Sequence, residues 1–284
     1  MANVQTLSAL TNAEFDKLSR FIYEQSGIKM SYAKKNMVEA RLRKRLKELN
    51  LDSYSDYYAF LFSDDGKDFE VTNMVDVITT NKTDFFREPK QFSFLMDRAL
   101  PELLARDRTG IQKPLKVWSA GCSTGEEPYT LSIVLNEFAN ENKNYSFSIL
   151  ATDISTRVLE KAKLGIYDEE RIVPVPDELV KKYFLKSKDK QKKLVRLIPE
   201  IRNSVNFQWL NFMDSDFGLE KNFDIIFCRN VIIYFDKATQ DRLIEKLITH
   251  IKPGGFLFLG HSESIFNGNL PVVQMAASTY KVVK

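Results

Sequence analysis

Between residues 11 and 80 the apolar positions recur at helical spacing, with no strand-like alternation. Phe15, Leu18, Phe21 and Ile22 follow Thr11-Asn12-Ala13-Glu14, a hydroxyl with a carboxylate three residues on. That pattern satisfies the free amides at a helix start. Gly27 closes the helix, because glycine takes the left-handed conformation at little cost. A second helix is predicted over 32–49, with Met37, Leu42, Leu46 and Leu49 on one side. Asp52-Ser53 opens a third, which turns Tyr54, Tyr57, Tyr58 and Leu61 inward, and 71–78 forms a fourth. Residues 1–80 thus read as a small all-helical domain and 81–114 as a linker.

From Leu115 the rhythm changes. Short apolar runs at 115–119, 147–151, 205–209, 223–228 and 256–259 alternate with helical stretches at 126–140, 155–164 and 237–251. Strands alternating with helices imply an α/β domain whose mainly parallel sheet is covered on both faces. Residues 165–203 break the rhythm with Pro174, Pro176, a basic helix and a strand-like Leu194–Ile198. They read as an insertion within a domain spanning 115–284.

Composition narrows the class. The 284 residues include 44% hydrophobic and 28% charged positions, an ordinary globular balance. Cys122 and Cys228 form no CxxC pair, and His250 and His261 are too few for a histidine metal site, so no metal is expected. No secretory leader and no bilayer-length apolar run is visible, which points to a cytoplasmic protein without membrane insertion. The net charge of +3 conceals two basic stretches, 34–49 at net +5 and 181–196 at net +7. The rest is acidic, so acidic partners are expected at defined places.

The first strand of the α/β part runs into Ser119-Ala120-Gly121-Cys122-Ser123-Thr124-Gly125-Glu126-Glu127-Pro128-Tyr129. A glycine turn there is where nucleotide-like ligands sit in doubly wound folds. Gly121 and Gly125 would let the backbone approach such a ligand. No Gly-Lys-Ser/Thr follows, which excludes a phosphate-cradling loop. Glu126 and Glu127 would repel a pyrophosphate and suit a ligand with cationic groups. Asp153, at the end of the second strand, suits a ribose diol; its alternative is a cap for the helix opening at Ser155. S-adenosylmethionine (SAM) combines adenosine, sulfonium and ammonium without phosphate, and fits this set better than a dinucleotide.

Three stretches go further: Thr79-Thr80-Asn81-Lys82-Thr83-Asp84-Phe85-Phe86-Arg87-Glu88, Val117–Tyr129, and Ile226-Phe227-Cys228-Arg229-Asn230-Val231-Ile232-Ile233-Tyr234-Phe235-Asp236. With Gly260-His261-Ser262-Glu263 they strongly resemble the CheR family, the glutamate methyltransferases of bacterial chemotaxis receptors. The resemblance covers essentially the whole chain. It implies a Rossmann-like SAM-dependent methyltransferase domain with a small inserted subdomain, preceded by the helical domain. It also implies that Asn81, Thr83 and Arg87 reach the cofactor from the linker, and that Gly121, Asp153 and one of Glu126 and Glu127 meet it from the sheet. Asn211 and Phe212 would flank the adenine. Arg229 and Asn230 would border the methionine portion, with S-adenosylhomocysteine (SAH) as product in the same pocket. Tyr234, and with it Arg98, would stand on the substrate side. A surface ion pair with Glu88 or Asp84 is the plainer role for Arg87. Core packing is the plainer role for Phe212 and Tyr234. His261 would be structural or at the rim.

A glutamate carboxylate is already ionised at neutral pH, so its methylation needs no general base. Lys34, Lys35, Arg41, Arg43, Lys44, Arg45 and Lys47 would form a docking face for the acidic helical bundle of a receptor. Members of the family that bind a C-terminal receptor pentapeptide carry a glycine-rich loop in the insertion. Residues 186–193 hold five lysines and no glycine, so tethering is not expected, and Leu194–Ile198 would form an exposed edge guarded by those lysines. Two rival functions stand beside this one. A nucleic-acid methyltransferase would lack its usual Asn/Asp-Pro-Pro-aromatic motif here, so no nucleic-acid partner is expected. A non-catalytic SAM or SAH sensor is the other.

Overall fold

The computed structural model describes residues 8–67, 69–189, 191–265 and 269–283. Helices α1 (Asn12–Ser26), α2 (Lys35–Glu48), α3 (Tyr54–Leu61) and α4 (Glu70–Ile78) pack around Phe15, Leu18, Leu42, Leu46, Tyr54 and Tyr57. Thr11 and Glu14 make the reciprocal cap, and Gly27 ends α1 at φ 72°. A 3-10 turn over Tyr32–Lys34 precedes α2, whose buried stripe is Val38, Leu42 and Leu46; Met37 is only half-buried.

The linker is itself largely helical: α5 (Pro89–Phe94) passes through a π-helical turn, Leu95–Ala99, into α6 (Leu100–Asp107). The α/β domain follows as β1 (Leu115–Ala120), α7 (Glu126–Glu141), β2 (Phe147–Asp153) and α8 (Thr156–Leu164). The insertion holds β3 (Ile166–Asp168), α9 (Asp177–Tyr183), β4 (Phe184–Lys186), β5 (Leu194–Leu197) and α10 (Pro199–Asn203). The chain returns through β6 (Val205–Trp209), β7 (Phe223–Cys228), α11 (Lys237–Thr249), β8 (Ile251–Leu259), β9 (Val272–Ala276) and β10 (Thr279–Val282).

Among the described residues the main sheet has seven strands in the order β6-β2-β1-β7-β8-β10-β9. It is parallel from β6 to β8, and the last two strands run antiparallel, a hairpin the apolar runs did not announce. Phe92, Leu95, Leu103, Leu131 and Leu135 of α5–α7 cover one face. Leu243, Ile244 and Leu247 of α11 cover the other. Strand order reverses at β1, between β2 and β7. In open α/β sheets the crevice at the carboxyl ends of such strands is the ligand site.

The insertion corrects one expectation. Its small sheet is ordered β3-β5-β4, so β5 is the central strand, paired with Ile166–Asp168 on one side and Phe184–Lys186 on the other. The strand expected at an exposed edge has no free edge. Its two partners are three residues each, too short to leave a pattern in the chain. Lys190 of the lysine run lies outside the described residues. No described helix is long and apolar enough to cross a membrane.

Candidate functional site

A cleft with about 1180 Å³ of empty space, counting its open mouth, lies between the helical domain and the carboxyl ends of β1, β2 and β7. Its floor is the turn after β1. The amides of Gly121 and Cys122 both donate to the Thr152 carbonyl, at 2.8 and 2.9 Å, folding the turn back over β2. Gly121 sits at φ 83°, and a Cβ there would come within 2.5 Å of Val231 Cγ2. Gly125 caps α7 at φ 97°, where a Cβ would meet Ala162 and the Tyr167 hydroxyl at 3.0 Å. The fold around them requires both glycines, and Gly121 also lines the cleft.

Asp153 lines the cleft and accepts the amides of Ser123 at 2.8 Å and Ser155 at 2.9 Å. Ser155, not Asp153, caps α8 through its hydroxyl. Burial pushes the Asp153 carboxyl up to about 6, and the two amides hold it from rising further. The paired acids separate. Glu127 lines the cleft, accepts the Ser119 hydroxyl at 2.7 Å and lies 3.7 Å from Arg229 Nε; burial raises its pKa. Glu126 turns away, 1% exposed, and pairs with Arg171 of the insertion at 2.6 Å and with the Thr124 hydroxyl. It is a structural anchor and does not face the cleft.

Asn81, Thr83 and Arg87 line the opposite side. The Arg87 guanidinium donates to the Lys82 carbonyl at 3.2 Å and makes no ion pair among the described residues. The acids expected to pair with it are taken: Asp84 by Arg171 at 3.2 Å and Glu88 by Arg229 at 3.3 Å. Arg229 is 5% exposed, stands over the rings of Phe92 and Phe227, and leaves Nε and Nη1 without a hydrogen-bond partner. Phe86, Glu88, Ser123 and Asn230 adopt positive φ without being glycine. Such backbone persists only where its surroundings fix it, and of these four Ser123 and Asn230 line the cleft.

Glu263 is the fixing group that sequence reasoning missed. It is 3% exposed and accepts the amides of Gly260 at 2.7 Å, Asn230 at 2.9 Å and Ile233 at 3.3 Å. It thereby holds the segment that carries Arg229, Asn230 and Tyr234. Its trace in the chain was its place in the Gly260-His261-Ser262-Glu263 motif, which gave it no role; His261 of that motif is exposed and donates its amide to Glu88 at 3.2 Å.

The helical domain supplies the remaining wall with Ser26, Ile28, Met30, Lys34 and Met37, none of them signalled by a motif. Asn211 and Phe212 meet it there: Asn211 Nδ2 donates to the Gln25 carbonyl at 2.7 Å. Tyr234 lines the cleft too, its carbonyl accepting the Lys29 amide at 3.0 Å and its hydroxyl making no hydrogen bond to a described residue. At the other end, the indole of Trp209 donates to the Ile154 carbonyl at 2.8 Å, one residue past Asp153.

Arg98 lies outside the cleft. Phe92, Leu95 and Ala99 face inward along α5 and its π-turn, which leaves Arg98 exposed. The basic face of α2 is also smaller than expected. Arg45 forks onto Glu70, which is 0% exposed, through Nε at 2.8 Å and Nη2 at 2.6 Å. Arg41 donates to the carbonyls of Ile78 and Thr79 at the end of α4. Lys35 bonds Asn12, and Arg43 and Lys44 pair with Glu39 and Glu48 one turn away. Lys44 and Lys47 are the exposed cations of this helix.

Comparison with known proteins agrees with this layout. Residues 81–282 match the SAM-binding domain of CheR methyltransferases, and residues 13–79 match their all-alpha domain. The chain is 39% identical over 273 residues to a chemotaxis protein methyltransferase of Borreliella burgdorferi, covering 96% of this chain and 95% of that one. It is 41% identical to one of Klebsiella aerogenes, covering 90% and 84%, and 37% identical to chemotaxis protein methyltransferase 2 of Pseudomonas aeruginosa, covering 95% and 93%. Over nearly its whole length, then, the chain belongs to the CheR methyltransferase family.

Proposed function

We propose that this protein uses SAM to methylate glutamate side chains on the cytoplasmic helical bundle of bacterial chemoreceptors. The observation that carries the reading is the pairing of unmatched groups in the cleft. Arg229, ion-paired with Glu88 and Glu127, still leaves Nε and Nη1 without a hydrogen bond, and Arg87, which also lines the cleft, has no acid among the described residues. Two such donors suit the carboxylate of the methionine portion, since guanidinium groups fork onto carboxylates. Asp153 and Glu127 supply acceptors for ribose hydroxyls and for the cationic end. When bound, SAM supplies a methyl group on a sulfonium.

The rest falls to the chain. The substrate carboxylate would accept in line the methyl group that bound SAM supplies, an O–C bond replacing the S–C bond with the electron pair left on sulfur. No proton moves. The two thiols take no part, since burial raises both Cys122 and Cys228 well above the ordinary thiol range. Catalysis rests on orientation and on exclusion of water. Tyr234, with its free hydroxyl, stands on the substrate side.

Receptor docking is proposed for the outer end of α2, through Lys44 and Lys47. Independence from a pentapeptide tether stays part of the proposal, with β4, which ends at Lys186, as the relevant edge. The test is incubation with methyl-labelled SAM and receptor cytoplasmic fragments, with base-labile methanol as the readout. Label released as methanol from receptor glutamates supports the proposal. Tight SAH binding with no transfer to any receptor fragment would overturn it.

A further inference from the structure

A carboxylate nucleophile must enter a cleft already lined by Asp84, Glu127 and Asp153. Burial and like charge both favour its protonated form. Protonated, it is no nucleophile. A cation on the substrate side is therefore required. Arg229 is held between Glu88 and Glu127; Lys82 and Arg87 also line the cleft but lie on the linker, Arg87 with its carbonyl bonded to Arg229. The cation on the Tyr234 side comes from the other domain. Lys34, half-buried at the start of α2, lines the cleft, with Nζ 5.6 Å from the centre of the Tyr234 ring. It makes no ion pair among the described residues.

We infer that Lys34 binds the carboxylate of the substrate glutamate, keeps it ionised as water leaves, and aims it with Tyr234. This role rests on the proposed methyl transfer and adds a substrate contact supplied by the helical domain. It differs from surface steering, which acts before the complex forms and is screened by salt.

The test compares wild type, Lys34→Met and Lys34→Arg on a receptor cytoplasmic fragment, with SAH affinity measured by calorimetry. Lys34→Met should raise KM for the fragment about tenfold or more, with SAH Kd kept within about twofold. The acid limb of its pH–rate profile should move to higher pH, because the bound glutamate loses the cation that kept it ionised. Lys34→Arg should restore most of both. The deficit should persist at about 0.5 M salt, where steering is screened. Unchanged KM and acid limb in Lys34→Met overturn the inference, as does a parallel loss of SAH affinity, which would put Lys34 on the cofactor. A deficit that disappears in salt overturns it in favour of steering. If wild type itself transfers no methyl to the fragment, the proposed function falls, and the wild-type arm shows this by itself.

Discussion

The two walls of the cleft are held in different ways. On the sheet side each critical group is fixed within its own domain: Asp153 by two backbone amides, Glu263 by three, and the turn after β1 by Thr152. On the helical side the domain is internally well packed, but it meets the cleft through a few polar contacts. These include Lys29 to Tyr234, Asn211 to Gln25, Tyr23 to Asp236 at 2.6 Å, and Thr156 to Asp76 at 2.9 Å. The proposed cofactor half is thus pre-organised, while the substrate half depends on how two domains meet. Pre-organisation favours affinity, and a dependent half leaves room for partner choice.

The hardest blow to this contrast is Arg45→Met. It leaves Glu70 buried with only the Tyr57 hydroxyl, at 2.8 Å, and a long contact to Asn73. Breaking a buried pair from one side costs about 3–5 kcal/mol. Urea unfolding should show that loss in the helical domain, and a loss under about 1 kcal/mol would mean that the pair contributes little to holding the domain together.

Asp153→Ala comes next and tests the sheet wall. Charge-assisted hydrogen bonds to ribose hydroxyls are worth about 1.5–3 kcal/mol, so SAH Kd should rise by that amount in calorimetry. The pH dependence has a definite sign. The ionised carboxylate is the form that accepts hydroxyls, and its pKa in the free protein is about 6. Affinity should be full above that value and fall as pH drops through it, and the fall should flatten in Asp153→Asn. Unchanged affinity in a folded Asp153→Ala would remove the aspartate from the cofactor.

Tyr234→Phe probes the seam between the walls. It removes only the hydroxyl, so SAH affinity should hold while kcat/KM falls by about 1 kcal/mol or somewhat more. Wild-type turnover would return Tyr234 to a packing role. The smallest effect is reserved for reversing charge at Lys44 and Lys47. Receptor methylation should slow at low salt by less than about 1 kcal/mol in effective barrier and recover as salt is raised. A deficit independent of salt would mean direct contact instead of steering.

These contrasts also mark how far the sequence could be read. Strands 205–209 and 223–228 and the Thr11 cap were legible because each is local: an apolar run, or two side chains three apart. The family motifs marked Asn81, Thr83, Arg87, Glu127, Arg229, Asn230 and Tyr234, and the end of the second strand marked Asp153; all line one cleft. What stayed hidden depends on distance along the chain or on backbone donors. Arg45 looks like any surface arginine until Glu70 appears 25 residues on. Glu126 and Glu127 are adjacent, and only helix phase divides them. Arg98 sits in a helix whose phase the motif did not set. β9 shows no strand signal because its side chains are largely exposed. Glu263 acts through amides, which leave no mark on residue type.

The indole of Trp209 gives the cleft its own optical signal. The chain has two tryptophans. Trp118 is fully buried, donates to the Thr152 hydroxyl at 2.9 Å, and packs against Phe223, Phe217 and His250. Its emission is set by that interior. Trp209 is 45% exposed and bonded to the residue next to Asp153. Part of the unliganded protein's fluorescence therefore comes from a solvated indole at the lip of the proposed adenosine site. A ligand that dries this lip should shift that emission to the blue, and Trp209→Phe should abolish the shift. Ligand occupancy then becomes readable in unlabelled protein, separately from any methyl transfer.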